Sequence, residues 1–336
     1  MNCNGGNDMI TMKEIAKLAN VSSATVSRVL NNSGYVSDDV RKRILKIIDE
    51  TGYIPSEHAK ALRTKQSNVI GVILPKLSTE TASRIVSGIS EELAKHGYQI
   101  LLTNTNLDPK KEIEYVKLLK SKQVDGIILL ATNRSEALLK EIEKLKIPFV
   151  ATGQEFEGIP SVINNNHGAA KDITNLLINK GHTKIAFIGV DESDYEVGYK
   201  RKAGYLAALE ESQLPVIKQW IQKGEFTIES GYMMAKEIIE SSSENPTAIV
   251  AVTDRLAIGA MEYLKEQGLH VPKDVALTGM GASDLSKYIT PKLTTVDLLS
   301  EHTGAEAAKT LLQILQEGIS LEKKQIDYRL IIRDSI

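Results

Sequence analysis

The sequence predicts an N-terminal all-α helix-turn-helix head and an α/β body made of two doubly wound parallel-sheet lobes. Three observations lead to this prediction. The chain has 336 residues, about twice the ~150 of a typical single domain, so we expect more than one hydrophobic core. Residues 11–66 carry a net charge of +4, whereas the chain beyond them carries −5. From residue 68 onward, short apolar runs alternate with amphipathic helical patterns.

The composition is that of an ordinary globular protein. Hydrophobic residues make up 42% and charged residues 25%, which excludes disordered and fibrous classes. The one cysteine, Cys3, permits no intrachain disulfide and no cysteine-rich zinc site, so we expect a cytoplasmic protein. No apolar run approaches the ~18 residues that cross a bilayer. Residues 1–10 lack the features of a signal peptide and are predicted to form a disordered tail.

Three amphipathic helices are predicted between residues 11 and 54. Thr11 can cap the first helix, which is apolar on one face at Ile15, Ala16 and Ala19. Ser22 can cap a second helix over Ser23–Leu30. The third helix runs from about residue 37 to residue 51, where Gly52 ends it. Two short helices joined by a tight turn, with a third to support them, form a helix-turn-helix domain.

The second helix has two distinct faces. Helical spacing predicts a buried stripe that consists of Thr25, Val26, Val29 and Leu30. The same spacing predicts an outer face that consists of Ser23, Ala24, Ser27 and Arg28.

The run TMKEIAKLANVSSATVSRVLN at residues 11–31 resembles the N-terminal signature of the lactose-repressor/galactose-repressor family of bacterial transcription factors. The resemblance implies that Ser23, Ala24 and Arg28 lie near base edges in the major groove of DNA. A guanidinium can donate two hydrogen bonds to guanine, whereas alanine offers only methyl contact to thymine. Thr25 and Ser27 are then expected to bind phosphates, which position a protein without reading sequence.

Residues 55–66 are predicted to form a hinge helix or linker. Pro55 suits a helix start, and the segment after it is too short to remain helical alone in water. The resemblance implies that this helix lies in the minor groove, with Leu62 wedged between base pairs and Ala59 one turn earlier. Most family members have asparagine after the proline, and Ser56 can cap in its place.

The body shows the alternation that is typical of parallel sheets. The predicted strands span residues 69–74, 99–103, 126–130 and 149–152 in a first set, and 184–188, 248–252 and 275–278 in a second. Helices are predicted near residues 80–96, 109–122, 135–146, 167–180, 199–212, 228–241, 255–267 and 301–317. Such alternation predicts two doubly wound sheets.

The body also resembles the same family, at VDGII in 124–128, GHTKIAFIG in 181–189 and VPKDVA in 271–276. These landmarks imply the fold of periplasmic sugar-binding proteins, in which two lobes close on a ligand. They also imply crossovers near residues 163, 293 and 322. Each lobe would then be discontinuous within an effector-binding and dimerisation domain over residues 67–336.

Four residues are candidates for binding the ligand. Asp254 resembles the family's sugar-contacting aspartate, and Arg201 resembles its ligand-binding arginine. A carboxylate opposite a guanidinium suits the hydroxyl groups of a polyol. Gln154 and Asn164 join them because this chain lacks the aspartates that many members have at positions 153, 164 and 281. The altered cleft resembles that of sucrose-operon-type sugar repressors of Gram-positive bacteria.

These features predict a DNA-binding repressor of a carbohydrate-utilisation operon, controlled by a sugar or a sugar phosphate between the lobes. One head reads only a few base pairs, so we expect a homodimer on a palindromic operator. A catabolite-control regulator, whose partner is a phosphorylated carrier protein, fits the same residues and stays open.

Two other classes fit less well. An exported sugar-binding protein would not explain the helix-turn-helix pattern and linker of residues 11–64. It would also need an export signal, which the sequence does not show. The sequence has no Walker A motif, nucleophile elbow or complete dinucleotide fingerprint that would indicate an enzyme. Its six histidines are scattered without the spacing of metal ligands, so we expect no metal and no cofactor.

We predict that Leu62→Ala weakens operator bending more than nonspecific binding, because an apolar wedge stabilises only a kinked duplex. The mobility of complexes with circularly permuted operator fragments measures the bend, and competition with unrelated DNA measures nonspecific affinity. Equal losses in both measurements, or no loss in either, would contradict the wedge.

Overall fold

The computed structural model describes residues 10–53, 66–241, 244–318 and 323–336. The chain forms two compact units, Met1–Ser67 and Asn68–Ile336. The predicted hinge residues Ala59 and Leu62 and nearly all of the predicted N-terminal tail lie outside the described residues.

The first unit contains the predicted helix-turn-helix. Its helices are α1 (Met12–Leu18), α2 (Ser23–Leu30) and α3 (Asp38–Thr51). Thr11 and Glu14 form a reciprocal capping box at the start of α1, and the Ser22 hydroxyl accepts from the backbone N–H of Thr25 at the start of α2. Gly52 ends α3 in the left-handed conformation, at a φ of 62°. The small core between the helices includes Ile15, Ala19, Val26, Val29 and Ile44.

Lobe 1 of the second unit is built on a six-stranded parallel sheet. Its strands are β1 (Val69–Leu74), β2 (Gln99–Asn104), β3 (Gly126–Leu130), β4 (Phe149–Thr152), β5 (Ser161–Asn164) and β11 (Lys323–Ile326). They lie in the order β11-β5-β4-β3-β1-β2. The helices that belong to this lobe are α4 (Glu80–Ala94), α5 (Pro109–Ser121), α6 (Glu136–Glu143) and α12 (Ser300–Glu317).

Lobe 2 repeats this plan with one antiparallel edge strand. Its strands are β6 (Ile185–Val190), β7 (Ile221–Gly224), β8 (Ala248–Ala251), β9 (Ala276–Met280), β10 (Thr294–Asp297) and β12 (Arg329–Ile331). They lie in the order β12-β10-β9-β8-β6-β7, and only β12 runs against its neighbour. The α-helices of lobe 2 are α7 (Asn166–Asn179), α8 (Arg201–Glu211), α9 (Ile228–Glu240), α10 (Asp254–Glu266) and α11 (Leu285–Tyr288). A π-helix over Tyr195–Lys200 precedes α8, and a 3₁₀ turn over Lys218–Trp220 precedes β7. The predicted fold class is therefore confirmed.

The chain passes between the lobes from β5 to α7, from β10 to α12 and from β11 to β12. The first crossing lies next to residue 163, where the landmarks implied one. The other two fall later than 293 and 322, because Thr294–Asp297 still pairs with β9 and Lys323–Ile326 still pairs with β5. The chain leaves each lobe only where the ladder hydrogen bonds of its last strand end, so pairing decides where each crossing begins.

Helices α4 and α12 cross in lobe 1 at two glycines. A Cβ atom on Gly88 would lie 1.9 Å from the carbonyl oxygen of Glu301, and one on Gly304 would lie 2.0 Å from that of Ile85. Real side-chain carbons do not come so close to backbone oxygens, so any larger residue would force the helices apart. This close contact packs α12 against α4. Helix α12 follows the second passage of the chain between the lobes, and α4 begins beside the cleft.

We predict that Gly88→Ala lowers the free energy of unfolding by roughly 1–3 kcal/mol, because the added methyl overpacks the crossing. Urea denaturation followed by circular dichroism measures this change. Ser87→Ala, at the exposed neighbouring position of the same helix, is the matched control and should change stability little. Equal stability of the two variants would show that the crossing tolerates a side chain.

Candidate functional site

A cavity of about 230 Å³ lies between the two lobes, where the strands of both sheets end. Lobe 1 contributes the segments that follow β1, β3 and β4, and lobe 2 contributes those that follow β6, β8 and β9. Parallel sheets bring the carboxyl ends of their strands to one edge, and loops there are free to vary in sequence. The cavity is therefore the candidate ligand site of this unit.

Arg201 lies at this cavity, at the first residue of α8. Its Nε donates to Oδ1 of Asn166 at 2.8 Å, and one terminal nitrogen donates to the carbonyl oxygen of Val252. The side chain is only 6% exposed, and burial lowers the pKa of its guanidinium to about 10. Arg201 is therefore a buried cation that the backbone and an amide hold in place.

Asp254 also lines the cavity, and both of its carboxylate oxygens already accept hydrogen bonds from lobe 2. One accepts from the hydroxyl of Thr295, and the other accepts from the backbone N–H of Ser283 at 2.6 Å. Burial raises the pKa of this carboxyl. In this arrangement Asp254 fixes the loop after β9, and a direct contact with ligand hydroxyls stays a prediction.

Gln154 and Asn164 lie next to the cleft but do not line the cavity. Nε2 of the buried Gln154 donates to Oδ1 of Asp194 across the lobes, at 2.8 Å. Nδ2 of Asn164 donates to the carbonyl oxygen of Leu298 at 2.7 Å and to the hydroxyl of Thr303 at 3.0 Å. Both amides therefore join the lobes or the crossover segments, and their binding to a ligand stays a prediction.

Asp194 is a cavity residue that the sequence reasoning missed. Its Oδ1 accepts from the backbone N–H of Val197 at 3.0 Å as well as from Gln154, and burial raises its pKa. The signal was present, because Asp194 follows the strand β6 and caps the π-helix after it.

Glu112 is a second buried carboxylate near the cleft. It accepts from the backbone N–H and the hydroxyl of Thr132, which lines the cavity, and from the amide of Asn133. Burial raises its pKa. No sequence signal could have found it, because a glutamate in an amphipathic helix usually faces solvent.

A charged latch joins the lobes at the mouth of the cavity; it consists of Glu80, Arg84, Gly281 and Asp284. The backbone N–H of Asp284 donates to both oxygens of Glu80, at 3.1 Å and 3.0 Å. Arg84 forms an ion pair with Glu80 and donates to the carbonyl oxygen of Gly281 at 3.3 Å.

In the head, the predicted outer face of α2 is largely open. Ser23, Ala24 and Arg28 are exposed, and no described residue accepts a hydrogen bond from the Arg28 guanidinium. Ser27 is half-buried and its hydroxyl accepts from Asn31 at 3.1 Å. Thr25, predicted both to be buried and to bind phosphate, is half-buried with its hydroxyl 3.0 Å from that of Ser22.

Neither a metal site nor a membrane-spanning helix is present in the described part of the chain. No three His, Cys, Asp or Glu side chains there lie close enough together to hold a metal ion. No helix in the same ranges is long and apolar enough to cross a membrane.

The fold and the cavity define a two-lobed ligand-binding protein that carries a helix-turn-helix head. Residues 67–334 match the family of periplasmic binding proteins and the sugar binding domain of the LacI family, and residues 11–56 match the bacterial regulatory proteins of the lacI family. The chain belongs to the LacI family of bacterial regulatory proteins. The predicted family is therefore confirmed, and the closeness to sucrose-type repressors stays a prediction.

Three similar proteins illustrate this relationship. Catabolite control protein A of Priestia megaterium is 33% identical over 329 residues, which cover 97% of this chain and 99% of that protein. The lac repressor dimer bound to operator and the anti-inducer ONPF is similar in structure, with a TM-score of 0.88, 25% identity and coverage of 97% and 98%. The transcriptional regulator CelR in its cellobiose complex has a TM-score of 0.74, 26% identity and coverage of 97% and 99%.

We predict that Glu80→Ala opens the lobes, because it removes the acceptor for Asp284 and the ion-pair partner of Arg84. The groups are partly exposed, so the expected loss for the closed arrangement is only roughly 1 kcal/mol. Förster transfer between one dye on each lobe measures the change in ligand-free protein. Glu136→Ala removes an exposed ion pair with Lys140 within α6 and is the matched control. Equal transfer efficiencies in the two variants would show that the latch does not hold the lobes.

Proposed function

We propose that this protein is a cytoplasmic repressor of a carbohydrate-utilisation operon and that it binds a palindromic operator as a homodimer. A ligand in the interlobe cavity determines whether the homodimer releases or retains the operator. One observation carries the proposal: the chain combines a helix α2 with an open polar face and a largely apolar cavity between two lobes, whose lining includes the buried charged residues Arg201 and Asp254. The proposal includes no enzymatic activity, in keeping with relatives that are named as regulators.

The DNA-binding part of the proposal rests on α2. Arg28 is exposed and without a described partner, so its planar donors are available to guanine in the major groove. Ser23 and Ala24 lie on the same open face. Thr25 and Ser27 retain hydroxyls close to that face, which suits phosphate contacts.

The homodimer is supported by an apolar surface on lobe 1. Leu77 and Leu102 are 55% and 37% exposed, and they line a depression between α4 and β2. Clustered exposed leucines of this kind usually mark a protein interface. The similar lac repressor structure is itself a dimer on operator, and two heads related by twofold symmetry suit a palindromic site.

The control mechanism follows from the position of the cavity. A ligand that contacts both lobes stabilises one of their arrangements, and it shifts the population only by its difference in affinity for the two. We propose that Arg201 binds the ligand directly, while Asp254 positions the loop after β9. A change of several kcal/mol between the arrangements is needed to move the protein from mostly bound to mostly free operator.

A catabolite-control regulator with a phosphorylated carrier protein as its partner is the second candidate. The similarity to catabolite control protein A over nearly the whole chain favours it. Affinity capture of the phosphorylated and unphosphorylated carrier discriminates the candidates. Operator binding that depends on the phosphorylated carrier and on no small ligand would favour this second function.

Arg28→Ala tests the proposed function. The variant should lose roughly 1–3 kcal/mol of operator binding and relax base preference at one operator position, while affinity for unrelated DNA falls less. Gel shifts with operator fragments varied one base pair at a time measure both effects. Lys46→Ala, on α3 beside Glu50, is a charge-matched control in the same domain. A silent Arg28→Ala variant would refute the proposed docking of α2.

A further inference from the structure

Six exposed lysines gather at the end of lobe 1 that lies away from the interlobe cavity. They occupy the last turns of α5 and α6 and the residues just after these helices. We call them the lysine cluster: Lys117, Lys120, Lys122, Lys140, Lys144 and Lys146. The ranges 117–122 and 140–146 contain two acidic residues, Glu141 and Glu143, and therefore carry a net charge of +4. A helix between parallel strands runs back along the sheet, so its last turn lies where the next strand begins and away from the cavity.

Three members of the cluster surround one carboxylate, that of Glu141, at a groove between α5 and α6. Nζ of Lys144 lies 2.8 Å from Oε1 of Glu141, and Nζ of Lys117 lies 3.8 Å from Oε2. Nζ of Lys120 donates to the carbonyl oxygen of Lys144 at 3.4 Å. The pKa of the Glu141 carboxyl is lowered, chiefly by the hydrogen bond from Lys144. One carboxylate compensates one of the three ammonium groups, so the groove keeps an excess of positive charge.

Half of the cluster has no acidic partner. In the described part of the chain, no carboxylate oxygen lies within ion-pair distance of Lys120, Lys122 or Lys146. Their ammonium groups are exposed, and each has three donors that an anion from outside can reach.

The dipoles of the helices do not account for the cluster, although cations are favourable at helix C-termini. Lobe 2 repeats the strand order of lobe 1, and α9 and α10 hold the places in it that α5 and α6 hold in lobe 1. The matching ranges of lobe 2, 236–241 and 261–267, contain two lysines and four glutamates. The same fold therefore tolerates a negative charge at these helix ends, and the lysine cluster is a property of lobe 1 alone of the two.

The cluster adjoins the point where the chain enters lobe 1 from the helix-turn-helix head. The backbone N–H of Asp125 donates to the carbonyl oxygen of Val69 at 2.9 Å, and the backbone N–H of Asn68 donates to Oδ2 of Asp125 at 2.7 Å. The turn after Lys122 is thereby joined to the first residues of lobe 1. Fifteen residues lead from Tyr53 to Asn68, and covalent geometry limits their reach to about 50 Å, or roughly fifteen base pairs of DNA.

We propose that the lysine cluster binds the phosphate backbone of DNA that flanks the operator and adds sequence-independent affinity to the reading by α2. This inference rests on the proposed function and extends its DNA-binding surface from the head to lobe 1. The six cations are all lysines, which bind phosphate as point charges and position a protein without reading bases. DNA is the partner that the position favours, because the chain that enters lobe 1 beside the cluster comes directly from the DNA-binding head.

Two DNA fragments that share one operator test the proposal on the full chain. The operator is first selected from random-sequence DNA with the unmodified protein. The short fragment ends at the outer base pairs of the operator, and the long fragment adds about fifteen base pairs on each side. Fluorescence anisotropy measures Kd for both fragments over a series of salt concentrations. The long fragment should bind about tenfold more tightly at low salt, and log affinity should fall more steeply with log salt, by roughly 0.9 for each added phosphate contact.

Two variants then locate the contacts. The cluster variant removes three unpaired charges of lobe 1, through Lys120→Gln, Lys122→Gln and Lys146→Gln. The control variant removes three exposed charges of lobe 2, through Lys180→Gln, Lys265→Gln and Lys273→Gln. The cluster variant should lose most of the preference for the long fragment and keep its affinity for the short one, whereas the control variant should keep the preference. Thermal unfolding checks that both variants are folded.

Each remaining outcome decides the proposal. Equal affinity of the unmodified protein for the two fragments overturns it. An equal loss in both variants also overturns it, because net charge and not position would then set the affinity. A cluster variant that binds both fragments unchanged but no longer binds a polyglutamate peptide assigns the cluster to an acidic protein segment and overturns it as well.

The failures of this inference and of the proposed function are distinguishable. A protein that selects an operator and ignores its flanks refutes this inference and leaves the proposed repressor intact. A protein that selects no operator, but binds long DNA of any sequence through the lysine cluster, supports this inference and refutes the proposed function. The absence of any DNA binding refutes both.

Discussion

The buried guanidinium of Arg201 is the interaction on which the interlobe site depends. Its donors reach Asn166 at the start of α7 and the carbonyl oxygen of Val252 at the end of β8, so one side chain ties three separate segments of lobe 2. Asn166 in turn donates to the buried carboxylate of Glu196. A cation removed from water is tolerated only when its donors are satisfied, and this requirement fixes the positions of the segments that form the cavity.

The contacts between the lobes are of two kinds, and they differ in strength. The buried amide of Gln154 donates to Asp194 of lobe 2, and the partly buried amide of Asn164 donates to Leu298 on a crossing segment. At the mouth, the latch of Glu80 and Arg84 is partly exposed, so water and salt compete with it. The inner contacts define how the lobes meet, while the weaker outer contacts allow a ligand of ordinary affinity to change their arrangement.

The hydrophobic cores of both lobes form in the same way, with helices covering both faces of a sheet. Strands covered by helices on both faces bury nearly every side chain, as in β3 and β9, whose residues are all buried. Because these strands contain few polar groups, most of the charged side chains at the cavity come from the loops and helices that follow the strands. Close helix packing at glycines, such as Gly88 against Glu301 and Gly304 against Ile85, then sets the distance between α4 and α12.

The sequence alone determined the features that depend on neighbours along the chain. Caps at Thr11, Ser22 and Gly52, the outer face of α2 and the alternation of strands and helices are local, so periodicity and capping predicted them. Position after a strand and the family resemblance placed Arg201 and Asp254, and both line the cavity.

What only the tertiary structure decided is which side chains meet across the cleft. Gln154 and Asn164 are engaged by protein partners far away in sequence, as are Glu112 and Glu80. Helical and strand periods report burial along one element and carry no information about a partner on another element, so these pairings, including that of Glu112 with Thr132 within lobe 1, became visible only in the folded structure.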